Sequence, residues 1–212
     1  MNSDKDKTDL YDSTQLLSRK VELESEIARL TALHMVGIML SCALHTCNLV
    51  SYFISGSEKE EFIKSYLHLA NTTDEFNHHF KDRLITLSER VEKATAILVV
   101  GIKKYADPIN IDCNLCYFSK CSEFTDTMRR RNPDKKTLCT MEYMSFSSAL
   151  SKGMQLASQL GIANFLTQSI GIAALKLRKL DADFAMTIVL EVGEGIKTSN
   201  ENKMEINSVR YE

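Results

Sequence analysis

The chain has 212 residues, with 26 Lys and Arg against 28 Asp and Glu and a formal net charge of −2. That length suits one domain with a full core, and the near-neutral balance offers no basic field for nucleic acid and no acidic tail. Only two prolines and eight glycines occur, so helix breakers are few and a helix-rich fold is expected.

Residues 1–13, MNSDKDKTDLYDS, are polar and charged and read as a frayed tail. They lack the apolar run of a secretory signal, so a cytoplasmic chain is expected. There thiols stay reduced, and the six cysteines serve metal, redox or packing roles rather than disulfides.

Residues 14–47 read as one long helix. Leu16, Leu17, Val21, Leu23, Ile27 and Leu30 recur at near-helical spacing, and beyond Leu30 the pattern is apolar on every face, as in a buried helix. No charged residue occurs from Leu30 to Ser57, a length that would span a bilayer. The stretch also carries Thr31, His34, Ser41, His45, Thr46 and Asn48, with no basic cluster beside it, so a core helix with a break near Asn48 is expected and no membrane span. Cys42 and Cys47 read as buried structural thiols. His34 and His45 share a helix face but start about 16 Å apart. One metal ion cannot bridge that gap, so they read as buried or capping side chains.

Gly56 marks a stop, and Ser57 with Glu60 forms a capping box for a helix carrying Phe62, Ile63, Tyr66, Leu67 and Ala70. Asn71–Asp74 reads as a break. Phe76, Phe80, Leu84, Leu87 and Val91 continue as a second helix to about Lys93. The period then changes. ATAILVVGI, residues 94–102, reads as a buried central strand, and the stretch around the first proline after it reads as a loop. Beyond Cys139 come a helix over 141–160 stopped by Gly161, a short strand over 162–168, a short helix over 171–179 and a second buried strand, FAMTIVLEV. Residues 196–212 read as a polar tail, with 205–211 an edge strand. The sum is α+β: one domain over residues 14–195, with a helical shell over a small central sheet.

Four cysteines carry the chemistry. Cys113, Cys116, Cys121 and Cys139 follow the spacing C-x2-C-x4-C-x17-C. Three ligands within nine residues and a fourth from afar suit an iron–sulfur cluster, most simply a 4Fe-4S cluster, better than a common zinc site. Zinc motifs more often pair two C-x2-C or H-x3-H units. Zinc and free thiols remain the alternatives. Arg129, Arg130, Arg131, Lys135 and Lys136 lie between the third and fourth cysteines and read as a solvated loop. His78 and His79 lie on a polar face, and Asp181 with Asp183 reads as turn chemistry. No phosphate-binding loop, nucleotide fingerprint or nucleophile–base pair is present.

LVVGIKK, CNLCYFSKCSEF, the run from Cys139 through TMEYMSFSSALSKGMQLASQLGI, and the blocks Ser169-Ile170-Gly171 and Asp181-Ala182-Asp183 together resemble one family. It comprises the ferredoxin-domain-containing proteins of unknown function found in anaerobic prokaryotes. The resemblance implies a cluster on the four cysteines and electron exchange with a redox partner protein. The family usually has glycine where this chain has Tyr117, and often a Gly-Ala pair where it has Asn114 and Leu115; glycines let a chain wind tightly around a cluster with positive φ. It also has a basic segment where this chain has Leu44-His45-Thr46-Cys47-Asn48. The element order is similar, more weakly, to the FMN-binding nitroreductase fold, which would imply a homodimer with FMN at its interface. The basic residues that usually hold the FMN phosphate are not evident.

Overall fold

The computed structural model describes residues 5–42, 47–72, 78–104, 112–131 and 138–193. The elements run α1 (Lys5–Cys42), β1 (Cys47–Ser55), α2 (Gly56–Thr72), α3 (His78–Lys93), β2 (Ala96–Lys104), α4 (Cys121–Arg131), α5 (Thr140–Gln159), β3 (Ala163–Thr167), α6 (Gln168–Lys176) and β4 (Phe184–Glu191). The four strands form one antiparallel sheet in the order β1-β2-β4-β3. The fold is α+β, as the periodicity predicts.

The two apolar runs, residues 94–102 and 184–192, supply the central strands because both of their faces are covered. Along β2, Ile97 and Val99 point into a core with Ile54, Phe62, Tyr66, Ile170 and Val189. The alternate residues Leu98, Val100 and Ile102 point into a second core with Met35, Met39, Phe146, Leu150 and Ile188. The period of two in a strand sends neighbours to opposite faces. One core therefore lies under α2, α3 and α6, and the other under α1 and α5.

Close approach sets the register of these layers. A Cβ at Gly171 on α6 would lie 2.4 Å from the carbonyl oxygen of Ala185 on β4. Only a glycine lets the helix sit that near the strand. Lys59 on α2 is buried, and its Nζ donates to the carbonyls of Glu92, at 2.8 Å, and Ala94. Burial holds its amine below the ordinary lysine value. Lys103 at the end of β2 pairs with Asp181, and the Asp183 amide donates to the Ile102 carbonyl at 2.8 Å, so the Asp-Ala-Asp block fastens the turn before β4.

Several expectations are corrected. The supposed tail is helical from Lys5. The long helix is described as far as Cys42, and Cys47, expected at its end, instead opens β1, whose nine residues pair with β2 from Cys47↔Lys104 to Ser55↔Ala96; residues 43–46 lie outside the described residues. Cys47 thus sits in an edge strand. Cys42 and His34 are exposed rather than buried, because the side of α1 away from the sheet faces solvent. The charged segment after Cys121 is helical as far as Arg131. His45, Phe76 and the edge strand expected over 205–211 lie outside the described residues. Among those described, no helix is long and apolar enough to cross a membrane.

Candidate functional site at the four cysteines

The segment holding the first three cysteines begins just before Cys113. Asp112 takes φ 46°, and its Oδ1 accepts the backbone N–H of Cys121 at 2.8 Å. That amide opens α4 and would otherwise lack an acceptor. The contact closes a ten-residue loop. Inside it, Asn114 and Tyr117 have φ of 57° and 59°. These are the two positions where the resembled pattern carries glycine. Leu115 is not in the left-handed region. Phe118 and Phe124 meet edge to face with centroids 5.8 Å apart and pack the base of the loop.

The fourth cysteine arrives on another element. Cys139 is the N-cap of α5, with φ −77° and ψ 163°. Its Sγ accepts the Glu142 N–H at 3.4 Å, while Glu142 Oε2 accepts the Cys139 N–H at 2.8 Å. This is a capping box with a thiol in place of the usual hydroxyl. The next amide, Thr140 N–H, donates to Cys116 Sγ at 3.3 Å, and Thr140 Oγ1 lies 3.4 Å from the same sulfur. The start of α5 therefore fixes the fourth cysteine and gathers in the second.

The structure brings all four predicted cysteines together. Cys113, Cys116, Cys121 and Cys139 line one small, solvent-open hollow. All four thiols are free and partly buried. Phe118, Phe124, Lys120 and the buried Glu142 also line it. The charge balance is mixed. Burial pushes the Cys139 thiol up to about 11, with the Glu142 carboxylate adding to the rise and backbone N–H bonds opposing it. Amides aimed at sulfur, and three cysteines at or touching helix N-termini, favour an anion in this place. Among the described residues no histidine lines the hollow, so there is no imidazole base for nucleophilic thiol chemistry. Among them also, no three His, Cys, Asp or Glu side chains converge on the position of a single metal ion.

Asp112, Thr140 and Glu142 are site residues that the cysteine spacing did not reveal. Glu142 carried a signal, since Cys139-x-x-Glu142 has the spacing of a capping box. Thr140 and Asp112 act through a backbone amide and a loop closure, which leave no residue-type pattern. The other predicted groups lie elsewhere: His78 is exposed and pairs with Asp82 at 2.7 Å, and Arg130 and Arg131 are exposed on α4.

Two similarities to known proteins are informative here. An uncharacterised protein of Archaeoglobus fulgidus is 30% identical over 138 residues, covering 65% of this chain and 71% of that one. A solved structure of a BluB-like flavoprotein from Clostridium difficile 630 matches with a TM-score of 0.47 at 16% identity, over 79% of this chain and 82% of that one. A likeness of that size assigns no flavin to this chain. No family profile matches the chain, so the ferredoxin-domain resemblance rests on the cysteine pattern and the blocks around it.

Proposed function

We propose that this chain, which belongs to the same protein family as the uncharacterised Archaeoglobus fulgidus protein, holds an iron–sulfur cluster on Cys113, Cys116, Cys121 and Cys139. Through it the chain moves electrons or senses redox state. The observation that carries this reading is that four free thiols from two separate segments line a single hollow. A donor set of thiolates alone is the chemistry that iron–sulfur clusters use.

When bound, the cluster would supply one-electron chemistry. The chain's own residues hold it and set its surroundings. The N–H groups of Thr140 and Glu142 donate to the sulfurs of Cys116 and Cys139 and offset their negative charge. Asp112 keeps the loop closed through the Cys121 amide. Leu115 and Tyr117 stand exposed at the rim, where a redox partner protein would approach.

Anaerobic purification tests the reading. A brown protein is expected, with broad absorbance in the near-ultraviolet and visible, acid-labile sulfide and about four iron per chain. A colourless protein with one zinc per chain would replace the cluster by a structural metal. A second reading is FMN fed by the cluster; an apolar groove of about 220 Å³ runs beside α5, lined by Tyr143, Phe146, Leu150, Met154, Leu166 and Met186. Stoichiometric FMN released on denaturation supports it, and no FMN uptake on reconstitution sinks it.

A further inference from the structure

We propose that Cys116 and Cys139 form an oxidative modification site: in the metal-free chain a peroxide joins them in a disulfide, which withdraws two of the four thiols at once. The bond itself rests on geometry alone, while its effect on metal loading rests on the cluster proposed above. The two sulfurs lie over one turn of α5. Cys116 Sγ accepts the Thr140 N–H at 3.3 Å, and Cys139 Sγ accepts the Glu142 N–H at 3.4 Å. Thr140 and Glu142 are the first and third residues of that helix. Their amides are therefore about 3 Å apart along the axis, on a turn whose backbone radius is about 2.3 Å. Sulfurs held by donors this close are neighbours. Thr140 Oγ1, at 3.4 Å from the Cys116 sulfur, pins that side chain to α5 a second time.

The remaining two thiols are placed differently. Among the described residues, neither the Cys113 nor the Cys121 sulfur receives an amide of α5, and Cys121 is held through its backbone by Asp112. Access favours the reaction, because all four thiols are partly exposed and their hollow opens to solvent. Cys116, with an N–H aimed at its sulfur, meets the peroxide first. It gives an electron pair to one peroxide oxygen, becoming a sulfenic acid and releasing one water. The Cys139 sulfur then displaces the hydroxyl, which leaves as a second water with the Cys139 proton. Two thiols and one peroxide thus yield one disulfide and two water molecules. No histidine lines the hollow, so the pair reacts slowly and is no peroxidase. The bond ties the loop of the first three cysteines to α5 and takes one thiol from each segment. A small thiol reverses it by exchange, becoming a disulfide itself.

The full chain, stripped of metal by chelator, fully reduced and then treated with hydrogen peroxide, tests this. Non-reducing digestion and mass spectrometry should find Cys116 linked to Cys139 as the main product, with titratable thiols falling by two per chain. Cys116→Ser and Cys139→Ser should each abolish that linkage, and Cys113→Ser should keep it. Iron uptake with sulfide should be at least about tenfold lower in the oxidised chain and return after dithiothreitol. Linkage of Cys116 to Cys113 or Cys121 instead, or oxidation to sulfinic acid with no linkage, overturns the proposal. The wild-type digest decides the matter even if a variant does not fold. The two proposals also fail separately. If the pair links but the reduced chain takes up no iron, the disulfide stands and the cluster falls. If the reduced chain loads iron but the pair does not link, the cluster stands and the disulfide falls.

Discussion

The backbone amide of Thr140 donates to the sulfur of Cys116 at 3.3 Å. Across 24 residues of sequence, the first turn of α5 thus reaches the loop that holds three of the four cysteines. Substitution by proline isolates this amide. Thr140 is the first helical residue, where proline is tolerated, and the preceding Cys139 already has the extended backbone that a proline demands. Thr140→Pro should therefore keep its helix content while weakening metal loading about 10- to 100-fold, the usual effect of losing a partner to a ligand. Chelator competition reads the affinity. Thr140→Ala, which removes only the hydroxyl, should lie closer to wild type.

Tyr117 is fully exposed and sits at φ 59°. A bulky side chain there strains the backbone and gains no packing. Tyr117→Gly should stabilise the metal-free chain by about 0.5–1 kcal/mol in a urea melt. Asn114→Gly should give less, since asparagine tolerates this conformation. Tyr117→Val should destabilise.

The Cys139 thiol ionises near 11 in the folded chain, against 9.0 unperturbed, chiefly because it is buried. A raised folded value means that the folded state holds its proton longer than the unfolded state does. This contribution is full below pH 9 and is lost as the pH rises from about 9 to about 11. After allowance for solvent screening it is of order 1 kcal/mol. A pH series of urea melts on metal-free protein should show the loss, and Cys139→Ser should show less of it. Because loading must also remove this proton, metal affinity should rise with pH.

Gly171→Ala places a methyl group 2.4 Å from the Ala185 carbonyl oxygen. Backbone cannot yield as a flexible side chain can, so α6 must lift from β4 at a cost of about 1–3 kcal/mol. Thermal melts measure this. Gly161→Ala, where the new Cβ meets nothing, should lose only the left-handed preference at φ 75°, about 1 kcal/mol.

How much of the site was legible depended on how local its signals are. The cysteine spacing pointed to all four thiols of the hollow, because they stand in one short pattern plus a single distant cysteine. Glu142 was legible in principle through its distance from Cys139. Asp112 and Thr140 were not, because one closes a loop and the other lends a backbone amide.

The uncharged stretch from Leu30 to Ser57 shows the same division in the fold. The β-branched runs at 94–102 and 184–192 dictated central strands by themselves, since strands covered on both faces must be apolar throughout. The stretch from Leu30 onward offered no such contrast. With no charge to mark a face or an end, its periodicity fits helix as well as strand. Pairing with β2 decided that residues 47–55 form an edge strand, through contacts about fifty residues away in sequence. Packing also decided which side of α1 met the core: Met35 and Met39 found α5 and the sheet, and Leu30, Leu33 and Leu40 did not. Sequence by itself determined the central strands and singled out the four cysteines, whose signals are short. Tertiary structure alone decided the edge strand, the exposed face of α1 and the meeting of Cys139 with the other three thiols, because each depends on which distant segments come to lie side by side.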